Sequence, residues 1–158
     1  MVFIALIAVI VLIGIDQLIK LWAIGNLANA TMPFHFIKIG NTEIINFSYY
    51  ENTGAAFSIF RDKIIFLIII TSIFLIAGIY LLVTKKITKP FMVISVILII
   101  AGGAGNLIDR IFRGFVVDYI EVRLFNFAVF NFADCCVVVG AIMLLVYTIF
   151  LDKPKRKL

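Results

Sequence analysis

The sequence has few of the residues from which most metal and nucleophile sites are built. It contains one histidine, His35, and two adjacent cysteines among 158 residues. These three side chains cannot form a tetrahedral zinc site, and no HExxH pattern occurs. A Ser-His-Asp triad would need that single histidine, and no nucleophile-elbow sequence is present. We therefore predict no metal and no cofactor, and we interpret His35 as a polar residue of the membrane interface.

Charge is also scarce in this chain. Charged residues make up 15% of the sequence and hydrophobic residues 64%, whereas soluble domains have about 25% charged and about 45–50% apolar residues. The composition predicts one integral membrane domain over 1–158. The basic excess of +5 then needs no nucleic acid as a partner, because basic segments beside membrane helices contact lipid surfaces and set orientation.

Four apolar runs are long enough to cross a membrane. About 20 helical residues span ~30 Å of hydrocarbon, and in that layer only a helix satisfies its own backbone polar groups. The predicted helices cover about 1–24, 64–83, 91–108 and 133–151. The tripeptide "ANA" at 28–30 imitates a signal-peptide cleavage site, but no basic residue precedes the first run, so we expect no cleavage there.

Basic residues predict the orientation of the bundle. The link at 84–90 and the tail at 152–158 together hold seven of the 14 basic residues, with one acid, Asp152. The positive-inside rule places both segments and both termini in the cytoplasm. The loops at 25–63 and 109–132 then lie on the outer face.

This topology brings polar residues from three helices to one depth. At 1.5 Å per residue, Asp16 lies ~22 Å from Met1, Asn106 ~26 Å from Lys89 and Asp134 ~26 Å from Leu151. Acids and amides near hydrocarbon usually face the bundle interior and mark function. A plain i,i+4 ion pair between Asp16 and Lys20 remains an alternative for those two residues.

The outer loops carry further signals. "HFIKI", "GN" and "TEIINFSYY" (residues 35–50) predict a β-hairpin with a two-residue turn. "ENTGAAF" (51–57) places the Asn52 side chain beside Gly54, where backbone can approach a ligand, although turn residues alone would also explain it. Gly114 ends the third helix, and "VVDYI" returns Asp118 toward the bilayer.

Carboxylates remain as the chemistry that this composition allows. Two acids held together at low dielectric cannot both ionise easily, so they share one proton. The ionised acid can draw a proton from water while its partner polarises a carbonyl group. Asp118 and Asp134 are both expected at the outer face, and we predict that they form such a pair.

Five segments in order resemble the motif blocks of lipoprotein signal peptidase (signal peptidase II). They are "DQLIK", "ENTGAAF", "GGAGNLIDR", "GFVVDYI" and "FNFAD", and with the four helices the resemblance covers essentially the whole chain. The family consists of bacterial inner-membrane aspartyl peptidases that cut diacylglyceryl-modified prolipoproteins just before the lipidated cysteine. The resemblance implies an all-α membrane fold of four helices with a small outer β-sheet cradle.

The resemblance also implies roles for individual residues. Asp118 and Asp134 would be the catalytic dyad, while Asp16 and Lys20 would support it. Residues expected to bind the substrate, or to line or support its site, are Asn52, Gly54, Asn106, Asp109, Arg110, Asn131 and Ala133. One departure is Cys135 and Cys136, where the family often has small residues such as Ser or Ala; Cys is also small, and we interpret both as small apolar residues on different helix faces.

The expected partners are diacylglyceryl-prolipoprotein substrates and membrane lipids, with the protein acting as a monomer. A proton-coupled transporter or channel subunit that uses Asp16, Asp109, Asp118 and Asp134 as a relay is the alternative function. It would need polar groups through the full membrane depth, and the second run offers only Thr71 and Ser72 near its middle. A membrane anchor without chemistry is a third possibility.

Overall fold

Four long apolar helices dominate the structure, a computed structural model that describes residues 2–54, 60 and 63–151. The helices are α1 (Val2–Leu27), α2 (Ile64–Val83), α3 (Pro90–Phe112) and α4 (Phe132–Val146), and α4 continues as a π-helical turn over Tyr147–Leu151. In the described part of the chain, four helices are long and apolar enough to span a membrane. The expected four-helix membrane fold is confirmed. The tail at 152–158 and residues 55–57 of "ENTGAAF" lie outside the described residues.

A three-stranded antiparallel sheet completes the fold. The strands are β1 (Phe34–Ile39), β2 (Thr42–Asn52) and β3 (Val116–Val122), with β2 in the centre. β1 and β2 form the predicted hairpin, in which Ile39 pairs with Thr42 across the two-residue turn. Gly40 has φ of +59° in that turn, a conformation that glycine adopts without a steric penalty.

The third helix is longer than the hydrophobic run predicted. α3 begins with Pro90 at its first turn, where proline costs no hydrogen bond. It continues past residue 108 to Phe112, because Asp109 and Arg113 form an i,i+4 ion pair on this polar last turn. The helix ends before Gly114, whose φ is +78°. Asp109 and Arg110 are therefore helical residues, rather than members of the loop predicted at 109–132.

α3 is the central helix of the bundle, since it packs against α1, α2 and α4. Its contact with α4 is very close: a Cβ atom at Gly102 would lie 2.2 Å from the carbonyl oxygen of Ala133. Small residues allow such approach where lipid supplies no hydrophobic drive between helices. One apolar cluster joins α1 to α3, and a second joins the end of α1 to the sheet through Ala23, Leu27, Val117 and Tyr119.

The sheet therefore sits at one end of the bundle, where α1 and α3 end and α4 begins. The short link between α2 and α3 lies at the opposite end. The chain thus gathers the polar ends of three helices beneath a sheet, and the site described next is built there.

Candidate active site

Asp134 is held at the first turn of α4 by a capping box. The Asn131 side chain accepts a hydrogen bond from the Asp134 backbone N–H at 2.9 Å, and the Asn131 backbone N–H donates to Asp134 Oδ2 at 3.1 Å. This reciprocal arrangement satisfies groups that a helix start otherwise leaves unpaired. Asp134 therefore has a fixed backbone and a side chain fixed at one oxygen.

Other elements satisfy the remaining first-turn donors of α4. The Phe132 N–H donates to the hydroxyl oxygen of Tyr119 in β3 at 3.1 Å, and the Ala133 N–H donates to Asp16 Oδ1 in α1 at 3.1 Å. Burial raises the pKa of Tyr119 far above its ordinary value, so its hydroxyl stays neutral. The start of α4 is thus tied to both the sheet and the first helix.

Asp118 lies on β3 opposite Tyr50 of β2 and is 2% exposed. Its two carboxylate oxygens accept hydrogen bonds from the amide groups of Asn131, at 2.7 Å, and Asn52, at 2.9 Å. Burial and then the neighbouring charge of Asp134 raise the pKa of Asp118 to about 7, and the two amide donors oppose this rise. Near neutral pH, this carboxyl can therefore hold or release a proton.

Amide groups connect the two acids. Asn131 reaches both of them, since its side chain donates to Asp118 while its backbone donates to Asp134. Asn106 of α3 donates to Asp134 Oδ1 at 2.7 Å, and its own carbonyl oxygen accepts from Asn131 at 3.1 Å. Every oxygen of the two carboxyls thus accepts one N–H group. Each oxygen keeps a lone pair for a proton or a water molecule.

Behind this layer lies a buried charge cluster. Lys20 is 0% exposed, and its ammonium group lies 2.9 Å from Asp16 Oδ2, Asp109 Oδ2 and Asn106 Oδ1. The Asp16–Lys20 pair is therefore part of a larger network and not an isolated pair on one helix face. Buried ions are tolerated only when paired and hydrogen-bonded in this way.

Three members of this support were not predicted from the sequence. Gln17 donates to Asp16 and Asp109, and Arg113 pairs with Asp109 and donates to Gln17. Tyr119 anchors α4 as described above. The position of Gln17 inside "DQLIK" and the i,i+4 spacing of Arg113 from Asp109 were signals that could have identified the first two.

Asp118 and Asp134 line one cavity of about 760 Å³. Asn52, Asn106 and Arg110 share its polar end. The rest of the lining is mostly apolar and comes from α2 (Thr71, Phe74, Leu75), α3 (Ile99, Gly103), Val116 of β3, α4 (Cys135 and residues 137–139) and the segment 127–130. The cavity therefore runs from the two acids into the level of the membrane helices.

Arg110 contributes a donor that the described residues leave unused. Its Nη2 donates to the carbonyl oxygen of Gly54 at 2.9 Å, whereas its buried Nε has no hydrogen-bond partner in the described part of the chain. Buried donors are rarely left unsatisfied. The geometry therefore favours an acceptor at this point of the cavity.

Four residues predicted to bind substrate lie outside the described cavity lining. Asn131, Ala133 and Asp109 are each 0% exposed, and buried Gly54 accepts the hydrogen bond from Arg110. Asn131 and Gly54 contact the cavity-lining residues Asp118 and Arg110 directly through hydrogen bonds, whereas Ala133 and Asp109 support the start of α4 and the buried Lys20. Of the residues predicted to bind substrate, Asn52, Asn106 and Arg110 line the described cavity.

The two cysteines lie on different faces of α4, as expected. Both are free thiols; Cys135 lines the cavity, whereas Cys136 packs beside Gly102. Among the residues that the structure describes, no cluster of three or more Cys, His, Asp or Glu side chains could hold a metal ion. The arrangement at the cavity is a pair of acids with oriented amide donors. Such a pair can activate water and polarise a carbonyl group.

Comparisons with known proteins agree with this geometry. The sequence model described as signal peptidase (SPase) II matches residues 7–150. The lipoprotein signal peptidase of Clostridioides difficile (strain 630) is 41% identical over 149 residues, covering 94% of this chain and 96% of that protein. That of Streptococcus pneumoniae is 40% identical over 144 residues, covering 90% and 91%. A bacterial membrane enzyme solved by the in meso method at 2.3 Å resolution superposes with a TM-score of 0.81 at 28% identity, covering 98% of this chain and 93% of that one. A chain whose match spans both its helices and its paired acids belongs to the signal peptidase II family.

Proposed function

We propose that this protein is a membrane aspartyl endopeptidase that removes signal peptides from diacylglyceryl-modified prolipoproteins, cutting just before the lipidated cysteine. Membership of the signal peptidase II family supports the reaction and the substrate class. The single observation that supports the catalytic assignment is that Asp118 and Asp134 line one cavity and are joined by the amides of one residue, Asn131.

The dyad would work with one shared proton. The ionised acid takes a proton from water as the water oxygen attacks the scissile carbonyl carbon, and the protonated acid gives its proton to the carbonyl oxygen. When the C–N bond breaks, the acid that took the water proton passes it to the leaving nitrogen, and the other acid takes a hydroxyl proton from the tetrahedral intermediate as the new carboxyl group forms, so the dyad returns to its singly protonated starting state. The pKa of about 7 for Asp118 supports a proton on the pair near neutral pH.

The cavity provides positions for the rest of the substrate. Arg110, with its unused Nε donor, and Asn52 would bind peptide carbonyl groups at the polar end. The apolar lining from α2 and α4 would hold acyl chains or the apolar part of the signal peptide, because these groups would otherwise have to leave the lipid. A dyad at this depth meets a scissile bond that lies at the membrane interface.

We further propose that the sheet end faces outward and both termini are cytoplasmic. The link 84–90, with Lys85, Lys86 and Lys89, lies at the opposite end from the dyad, as the positive-inside rule favours. On β1, Phe34 and Phe36 are both more than half exposed and stack near Phe47, which suits a strand at the aromatic-rich membrane interface. We expect a monomer surrounded by lipid.

The transporter alternative receives no support from the described residues. The acids on the described membrane helices are Asp16, Asp109 and Asp134, and all three meet at the sheet end of the bundle. In α2, Ser72 donates to the carbonyl oxygen of Ile68 within its own helix at 2.7 Å. A relay would need titratable groups at greater depth.

The test measures cleavage of a diacylglyceryl-modified prolipoprotein peptide by the purified protein in detergent. Asp118→Asn and Asp134→Asn should each lower kcat by about 10²- to 10⁴-fold, which is the typical contribution of a general acid or base. Glu43→Gln, which changes an acid of β2 next to the hairpin turn, is the matched control and should retain activity. Normal turnover by either Asn variant would refute the dyad, and equal cleavage of the peptide without its lipid would refute the substrate assignment.

A further inference from the structure

Lys20 has a hydrogen bond that charge neutralisation does not explain. Its ammonium group is completely buried, and two carboxylates, Asp16 and Asp109, already lie 2.9 Å from it. Its third bond goes to a neutral group, the carbonyl oxygen of Asn106, also at 2.9 Å. Since buried ion networks seldom increase stability over apolar packing, an ammonium retained here suggests a role beyond stability.

The third bond fixes the orientation of the Asn106 amide together with the Asn131 NH₂ group, which donates to the same Asn106 oxygen. An ammonium group only donates hydrogen bonds, so Asn106 must turn its oxygen toward Lys20. Its NH₂ group is then directed at Asp134 Oδ1, 2.7 Å away. The Asn131 amide is oriented in a similar way. The backbone N–H of Asp134 donates to the Asn131 side-chain oxygen, so the Asn131 NH₂ group donates to Asp118 and to Asn106 Oδ1.

The opposite orientation of Asn106 would disable the dyad. A flipped amide would place its oxygen against Asp134, where only a protonated carboxyl could donate to it. The shared proton would then be held on the helix side of Asp134, away from the cavity. In the observed orientation, Asp134 accepts from the amide, and the proton is available to water and substrate.

We propose that Lys20 is a positioning residue of the peptidase, which acts through Asn106 to keep the shared proton of the dyad on the cavity side. Asp16 and Asp109 hold the ammonium group in place, and Arg113 balances the charge of Asp109. Lys20 donates no described hydrogen bond to either acid of the dyad, although its charge also lowers the pKa of Asp118. The part of its effect that depends on hydrogen-bond geometry therefore passes through Asn106, and the coupling to Asn106 separates that part from the effect of charge. This inference rests on the proposed function.

The experiment is a double-mutant cycle in a charge-balanced background. Asp16→Asn removes one negative charge and keeps a carbonyl oxygen for the Ala133 N–H, so Lys20→Met can be added without leaving an excess of buried negative charge. Lys20→Met and Asn106→Ala are then made singly and together, and kcat, KM and the thermal midpoint are measured for all four proteins. A cycle isolates the coupling between two residues.

With Asn106 present, Lys20→Met should lower kcat about 10- to 100-fold, the range seen when a residue that orients a functional ligand is lost, with KM unchanged. With Ala at position 106, Lys20→Met should change kcat by less than about threefold, as expected of residues that act as a unit. An equal loss of kcat in both backgrounds, or a loss that appears in KM, would refute the inference.

A second background protects the test against misfolding. Asp109→Asn with Lys20→Met is balanced in charge in the same way, and it should give the same coupling. The side-chain NH₂ resonance of Asn106 should differ between the wild type and the Asp134→Asn variant. An unshifted resonance would overturn the proposed orientation of the Asn106 amide. If Asp118→Asn or Asp134→Asn retained activity, the proposed function would fail; if only the cycle showed no coupling, only the role of Lys20 would fail.

Discussion

Asp118→Asn should change how the stability of the protein depends on pH. The Asp118 carboxyl has a pKa of about 7 in the folded protein against an ordinary value of 3.8. Between these two values the folded state holds a proton that the unfolded state has released. The unfolded state therefore binds fewer protons, and the free energy of unfolding of the wild type falls as pH rises through this window.

The size of the effect follows from the two pKa values. The difference between 3.8 and about 7 corresponds to roughly 4 kcal/mol in total, of which roughly 2.5 kcal/mol falls between pH 5 and 8. Asn at position 118 has no carboxyl to titrate, although its NH₂ group would face one of the two amide donors at a cost of about 1–3 kcal/mol. That cost does not vary with pH, so the change in the free energy of unfolding with pH reports the titration alone.

The assay is thermal unfolding in detergent at a series of pH values from 5 to 8. The stability of Asp118→Asn relative to wild type should rise steadily with pH, by several degrees in the midpoint. Because the two acids titrate as a pair, the lost titration belongs to the pair with Asp134. Parallel curves for variant and wild type would contradict the burial argument.

Glu43→Gln is the matched control for this experiment. The hydrogen bond from Asn46 holds the pKa of Glu43 below its ordinary value of 4.5. Its stabilisation is therefore present above that value and lost only as pH falls below it. Because the Glu43 carboxyl is ionised in both the folded and the unfolded state over most of pH 5 to 8, its curve should depart from that of the wild type far less than the Asp118→Asn curve does.

Three further predictions concern packing, capping and metals. Gly102→Ala should lower the thermal midpoint, because its Cβ would lie 2.2 Å from the Ala133 carbonyl oxygen. Gly14→Ala is the control, since no atom lies within 4 Å of its Cβ position, and it should leave the midpoint unchanged or raise it. Equal midpoints for the two variants would contradict the close α3–α4 contact. Asn131→Ala should cost about 1 kcal/mol of stability through the lost cap and should also reduce kcat, and normal kcat would show that its amide is dispensable. EDTA should leave kcat unchanged in the peptide cleavage assay, since carboxyl chemistry needs no metal, and loss of activity that zinc restores would point to a different reaction class.

Hydropathy and turn chemistry were sufficient to predict the main elements of this fold. The thickness of the hydrocarbon layer requires helices of about 20 residues, so the four apolar runs could be located without tertiary information. The hairpin followed from the alternating segments around Gly40. The polar helix ends were also predicted to lie at one depth, because rise per residue and an antiparallel arrangement determine depth along the chain.

The sequence did not predict where a helix continues through polar residues, nor which polar residues are buried beside the cavity. α3 was ended at 108 because Asp109 and Arg110 are not apolar, although the ion pair from Asp109 to Arg113 carries the helix to Phe112. Ala133 and Asp109 were expected to line or support the substrate site; both are buried and lie outside the described cavity lining, and their role in substrate binding stays a prediction.

The rotation of each helix about its axis explains which contacts could not be predicted from the sequence. In a membrane helix, side chains that face lipid and side chains that face protein are equally apolar, so the sequence pattern carries little information about the face that packs. Along the chain, the residues specify where each helix crosses and at what depth its polar groups lie. Whether Lys20 meets Asn106, 86 positions away, or Asp16 meets the start of α4, depends on helix rotation and on the close α3–α4 contact, and both of these arise only when the bundle is assembled.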